Sequence, residues 1–324
     1  MPFRELLHTY YNIPVEEQIM LNSREGYKYH EYLYFIIRVD NREIIHMEQA
    51  ALSYYLVENR YNQLALPIQN NNGEWFTNYQ ERNYMVLQVE QLQGNHSLSD
   101  GESLAAFHQV GTSYSYEPKE ISSYGQWKQL WIDKLTTFET NMEQEAKNNP
   151  TNYYRYMMDI LPYIIGISEN AIQYIQESER DSRFHESDQG TIAFKRYANN
   201  LAEPILWGDD LVYDHPARDL AEYIRALLLS DAEQAQIITF IKDYQSIRPL
   251  SIFSWRLMYA RLIFPAPIFD LLERGFQTDN FNQLYIEALD LLAKQSDYEK
   301  KLRNFFQVVD VDAEALHIPV LHWL

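Results

Sequence analysis

The stretch WGDDLVYDHPARDLAEYIR, Trp207 to Arg225, sets the adjacent acids Asp209 and Asp210 ahead of Asp214, a His-Pro turn and an Arg218-Asp219 pair, and then runs into a helix. Carboxylates gathered at such a turn supply the oxygen ligands that magnesium demands. Magnesium held in this way serves phosphoryl transfer. The simpler reading of Asp209 and Asp210 is a solvated acidic turn. A second grouping, FHESDQG, offers His185 and Asp188 among polar neighbours that read as a loop.

Other chemistries find less support. The chain has no cysteine, which excludes disulfides, zinc-thiolate sites and cysteine nucleophiles. No Gly-x-Ser-x-Gly elbow or Walker loop occurs. The nine histidines yield no metal-ligand spacing. His317 and His322 are separated by a proline and share no helical face, His46 and Glu48 diverge on a predicted helix, and His108 reads as an interior histidine at a helix end. Trp127, Trp131 and Phe138 form an aromatic stripe that reads as core or an inter-lobe contact. The 26 tyrosines are read as packing side chains.

The elements that must position these residues change character along the chain. Tyr32 to Val39, YLYFIIRV, is an aromatic and β-branched run ending at the Asp40-Asn41 turn, the punctuation of a buried strand. REIIHMEQAALSYYLVENR has helical spacing. LALPIQN and EWFTNY read as short strands around an Asn-Asn-Asn-Gly turn at 70–73, and NYMVLQVEQ reads as another. After Gly94 the apolar residues recur at three and four, with Ser or Asp near several helix starts, and the last hundred residues read as nearly all helix. Strands followed by helices make an α+β protein with a cleft between lobes. The polar loop GNHSLSDGE places the boundary, giving a strand-rich N-terminal lobe of residues 1–93 and a helical C-terminal lobe of residues 94–324.

Bulk composition bounds the partners. At 324 residues, with 46% hydrophobic and 23% charged residues, the chain can bury a sizeable core. Its formal charge of -19 repels nucleic acid and anionic membrane. The N-terminus lacks a signal-peptide layout, and no run approaches the roughly eighteen apolar residues of a membrane span. A cytosolic origin is expected.

Taken in order, GESLAAFHQVG, the aromatic pair of YGQWKQLWIDKL, DHPARDLAEYIR and SWRLMYARLIFPAPIFDLLE resemble the aminoglycoside and choline phosphotransferase superfamily. The resemblance is greatest to its spore-coat branch, the CotS and YutH type proteins of spore-forming Bacillaceae. It implies a bilobal protein-kinase-like fold, with a small strand-rich N-lobe, a large helical C-lobe and nucleotide normally bound between them. Function must still be argued from the site.

Phosphoryl transfer in such a fold uses a glycine-rich loop, a strand lysine paired with a helix glutamate, a proton-accepting aspartate, and an Asn and an Asp on magnesium. Near the loop position the chain offers only Gly26, which could equally be a hairpin turn. On the strand it offers Arg38, which could pair with Glu48. Arginine is a poor substitute for lysine there, because its planar fork does not place one compact charge. The His-Gly-Asp of active relatives falls on Phe194, Lys195 and Arg196, and a guanidinium cannot act as a base. Asn199 or Asn200 stands near the magnesium-holding asparagine. The metal-binding aspartate falls at or beside Trp207, ahead of Asp209 and Asp210. The resemblance implies a buried structural role for Asp219, at the helix start.

Together with the resemblance, these residues imply a catalytically degenerate kinase-fold protein, a pseudokinase with a structural or interaction role in the bacterial endospore coat. Its partners would be coat proteins, with no nucleic acid and no membrane insertion. It would be made in the mother-cell cytoplasm and then placed in the coat. No catalytic residue, metal or cofactor is expected. The alternative is an active ATP-dependent phosphotransferase, acting on a small molecule or protein and using ATP and Mg with a rearranged set of Asp188, Asp209 and Asp210. A third reading is a binding module with a non-nucleotide ligand in its cleft.

Overall fold

A computed structural model describes residues 2–324 apart from 22, 91–97, 181–184, 231 and 279. Its order is α1 (Pro2–Tyr11), β1 (Glu17–Leu21), β2 (Arg24–Tyr29), β3 (Tyr32–Arg38), α2 (Glu43–Glu58), β4 (Leu64–Ile68), β5 (Thr77–Tyr79), β6 (Arg82–Glu90) and α3 (Asp100–Thr112). Then follow α4 (Trp127–Asn148), α5 (Asn152–Arg180), β7 (Thr191–Phe194), β8 (Leu206–Trp207), β9 (Leu211–Asp214), α6 (Ala217–Leu229), α7 (Gln234–Ile247), α8 (Ile252–Ile263), α9 (Ala266–Gly275) and α10 (Phe281–Arg303). The class is α+β, a curled strand-rich N-terminal sheet followed by a mostly helical C-terminal part. Helix α1 and the β1-β2 hairpin lie outside the elements expected from the sequence.

The chain divides into two compact units. The first takes in residues up to Ser122 together with Thr191–Tyr213, and the second takes in Ser123–Gly190 and Asp214–Leu324. The expected boundary at Gly94 lies outside the described residues.

The first unit is built on a sheet of order β1-β2-β3-β6-β4-β8, with β5 on β6. Neighbours are antiparallel except β8, whose Leu206 and Trp207 pair parallel to Leu64 and Ala65 of β4. Side chains alternate along β3. Leu33, Phe35 and Ile37 face one cluster with Met85, Leu87, Val89 and Trp207, while Tyr34 and Ile36 face another with Leu6, Leu7 and Tyr27. Both faces of the sheet are thus covered, which is why β3 reads as a continuous apolar run. The strand ends where Asp40 and Asn41 both take left-handed φ angles of 45° and 59°. Helix α3 opens on a capping box in which Ser99 and Glu102 satisfy each other's backbone N–H groups.

The second unit is helical. Trp127 and Trp131 stack in α4, and Trp131 stacks on Phe264 at 4.2 Å. Phe138 packs on Phe269, so the stripe read from the sequence is core. The apolar face of α5 passes through Tyr153, Met157, Ile164, Ala171 and Ile175, all buried. Full burial of an aliphatic side chain such as Met157, Ile164 or Ile175 is worth about 1.5–3 kcal/mol relative to exposure.

Candidate functional site

All of the expected degenerate positions fall within the first unit, whereas Asp219, expected to be structural, lies in the second. The face of β3 turned toward α2 presents Ile37, which lines a recess with His46, Gln49, Ser53, Gly208 and Asp209. The recess has room for about one water molecule. Arg38 lies one residue on and points to the other face, because strand side chains alternate. It is half-exposed and pairs with Asp40 across the turn. The Arg38-Glu48 pair does not form. The Glu48 carboxylate instead accepts the backbone N–H groups of Lys119, Glu120 and Ile121 at 2.8, 2.9 and 3.1 Å. Gly26 sits in neither a phosphate loop nor a turn. It lies within β2, where an added Cβ would overlap the Phe35 ring.

The 194–200 segment is organised by packing and by its own turn. Phe194 is fully buried and stacks on Phe107 at 5.0 Å, with Tyr197 against its other side at 5.4 Å. Lys195 and Arg196 are exposed at the end of β7. The Lys195 backbone N–H donates to the Asp210 carbonyl at 2.8 Å, which ties this segment to the acidic turn. Asn199 adopts φ 64°. Asn200 Oδ1 accepts the Ala198 N–H at 2.8 Å, and Asn199 Oδ1 accepts the Tyr197 hydroxyl at 3.2 Å. Both asparagine carbonyls therefore serve the local turn.

The 207–210 turn differs from the solvated one expected. Trp207 is buried and meets Phe35 edge-on at 4.7 Å. Arg24 Nη1 donates to both carboxylate oxygens of Asp209, at 2.9 and 3.0 Å, and the guanidinium lies 4.2 Å from the Trp207 ring centre. Asp210 lies 3.8 Å from the same guanidinium, and the two acid side chains are only 23% and 35% exposed. Burial raises the Asp210 carboxyl above its ordinary value, and the charge of Asp209 adds to this, against Arg24 and Lys195. Burial likewise pulls the His46 imidazole down, with Asp209 opposing. Gln49 Nε2 donates to the carbonyls of Asp209 and Leu211 at 2.9 and 3.2 Å, fixing the turn on α2. Arg24 had no signal in the sequence, since it lies 185 residues from Asp209.

In the second unit, the DHPARDLAEYIR segment is a network of internal bonds. The buried Asp214 accepts from Trp127 Nε1 at 2.9 Å, Ser123 Oγ at 2.7 Å, Arg218 Nη1 at 2.7 Å and the His215 N–H at 2.7 Å. His215 Nδ1 accepts the Ala217 N–H at 3.0 Å, so the ring proton sits on Nε2 and is donated to Asp188 at 3.3 Å. Asp188 is fully buried in a 3₁₀ turn rather than an open loop. Burial raises its carboxyl, but hydrogen bonds from His215, Ser251, Ser254 and the His185 N–H outweigh that and hold it below the ordinary value. Glu222 lies between Arg225 at 3.1 Å and Arg261 at 2.9 Å. Asp219 is fully buried in the first turn of α6. Asp188 therefore belongs to a different unit from Asp209 and Asp210, and its carboxylate is already held by four donors. Among the described residues, no group of three or more His, Cys, Asp or Glu side chains is placed to hold a metal ion, and no helix is long and apolar enough to cross a membrane.

Comparison with known proteins places this arrangement in a lineage. A sequence model of the family described as "Spore coat putative kinase YutH" matches residues 4–305. The endospore coat-associated protein YutH of Bacillus subtilis (strain 168) is 33% identical over 283 residues, which are 84% of this chain and 83% of that protein. Among solved structures, an aminoglycoside phosphotransferase from Alicyclobacillus acidocaldarius superposes with a TM-score of 0.63 at 11% identity, covering 91% of this chain and 93% of that one. Amicoumacin kinase, solved with AMP-PNP and Ca2+, gives a TM-score of 0.57 at 13% identity, covering 97% and 96%. At such identities the structural likeness establishes the kinase-like phosphotransferase fold alone. The sequence match, extending from the first helix to the end of α10, establishes more: the chain belongs to the YutH family of spore coat kinase-like proteins.

Proposed function

We propose that this protein is a catalytically degenerate member of its fold, a structural or protein-interaction component of the bacterial endospore coat. It is made in the mother-cell cytoplasm, then placed in the coat beside other coat proteins. It uses neither ATP nor magnesium. The coat assignment draws on the relative described as endospore coat-associated.

The observation that supports the loss of chemistry is what stands at the two carboxylate positions. Where a proton acceptor is required there is Arg196, preceded by a buried Phe194 held in an aromatic stack. Where the resemblance lays the metal ligand, at or beside Trp207, there is an indole buried against Phe35. The nearest carboxylate, Asp209, already has a guanidinium as its counter-ion. A guanidinium accepts no proton, and an indole offers magnesium no oxygen.

Isothermal titration of the full chain with ATP and magnesium is the direct test. Heats at the level of dilution, with no phosphate released, are expected. Micromolar metal-dependent affinity with turnover would establish the active phosphotransferase instead. The location is tested separately by imaging a fluorescent fusion through sporulation, where a shell around the forespore is expected and diffuse mother-cell signal counts against a coat role.

A further inference from the structure

Arg24 stands at the start of β2, just after Ser23, whose φ of 62° turns the hairpin. Its guanidinium meets three groups at once: the Trp207 indole, both oxygens of Asp209, and Asp210. An isolated surface ion pair contributes little, about 0–1 kcal/mol. This contact differs in kind. Its Nη1 reaches both oxygens of Asp209, its arginine side chain is 28% exposed, and the indole next to it meets Phe35 edge-on. A π face beside a carboxylate fits a flat, delocalised cation, whose plane can lie by the ring while its edge meets the acids; an ammonium is a compact point charge without that plane. The acidic turn is itself fixed from below by Gln49, so the guanidinium docks on a prepared surface.

We infer that Arg24 is a built-in cation that latches the β1-β2 hairpin onto the 207–210 turn, supplying the counter-charge of the acidic pair from within the chain. The inference rests on the reading of this site as catalytically degenerate, and it names the residue that balances the charge of the acidic pair. It requires that the arginine be replaceable by its own head group supplied in solution.

The test uses the full-length protein in magnesium-free, nucleotide-free buffer, with thermal unfolding followed by circular dichroism. Arg24→Ala should lower Tm by about 3–8 °C. Low-millimolar guanidinium chloride should restore most of that loss, while sodium chloride at equal ionic strength should not. Adding Asp209→Asn to Arg24→Ala should abolish the rescue. Arg24→Lys keeps the charge but loses the planar head group beside Trp207, and should lie nearer Arg24→Ala than the wild type. An unchanged Tm in Arg24→Ala, or equal recovery with sodium chloride, overturns the latch. Should Arg24→Ala fail to fold, Arg24→Lys decides, since a wild-type Tm in that variant is incompatible with a required guanidinium. The two readings fail separately: turnover of Mg-ATP by the wild type alongside guanidinium rescue sinks the degenerate site and leaves the latch, and the opposite pair of results does the reverse.

Discussion

At the scale of single residues, the molecule uses its buried acids as acceptors for internal donors. Asp188 gives this a measurable form. Its carboxyl lies below the ordinary value because the hydrogen bonds to the ionised form outweigh the effect of burial. A carboxyl lowered by folding contributes stability that is fully present above its unfolded value, about 3.9, and is lost as pH falls through the folded value. Urea midpoints measured between about pH 6 and pH 3 should therefore decline more steeply for the wild type than for Asp188→Asn, which should already be weaker at neutral pH. Parallel profiles would mean that the carboxylate is not linked to folding. Asp210 has the opposite sign, with its carboxyl raised, so protonation of that group relieves the folded state rather than loosening it. Residue identity alone showed which chemistry Phe194, Arg196 and Trp207 could not do. It could not show which face Arg38 takes, because one step along a strand reverses the side and nothing local fixes the register. Nor could it show Arg24, whose partners lie far away in the chain.

At the scale of elements, legibility followed the range of the forces involved. Helices α2 to α5, the helical character of the chain from α6 onward and the long strands β3 and β6 were readable because their burial pattern repeats within a few residues. Strand β8 was not, since it has two residues and exists only through β4, more than a hundred positions earlier. The hairpin before β3 was missed for a related reason. Its residues Arg24 to Tyr29 mix charge and aromatic side chains, and only their pairing with β3 makes them a strand. The seat of the acidic turn on α2 is steric as well as hydrogen-bonded: a Cβ at Gly208 would run into Ser53 Oγ. Gly208→Ala should accordingly destabilise the protein by about 1–3 kcal/mol, the usual cost of overpacking. Ser53→Ala in the same chain should recover a good part of that loss, as read from a double-mutant cycle in urea. Additive effects would show that the turn does not lean on α2.

At the scale of the whole molecule, the excess of acid sets the long-range behaviour. With 46 acidic against 27 basic residues, like charges repel across the folded surface, and salt shortens that repulsion from roughly 30 Å at low ionic strength to about 8 Å near physiological. Tm should rise over that range of sodium chloride, even though exposed pairs such as Lys294-Asp290 weaken; a falling Tm would mean that attractive pairs outweigh the net charge. The division of the chain has a different kind of consequence. Residues 191–213 belong to the same compact unit as the N-terminal sheet, so a ribosome must make α4 and α5 before that unit can be completed. At about 5–20 residues per second, Phe35 and Leu87 wait for several seconds without the Trp207 that later covers them. A nascent chain stalled between Arg180 and Thr191 thus presents a greasy half-built sheet, and chaperone occupancy during synthesis should peak there and fall once β8 has emerged.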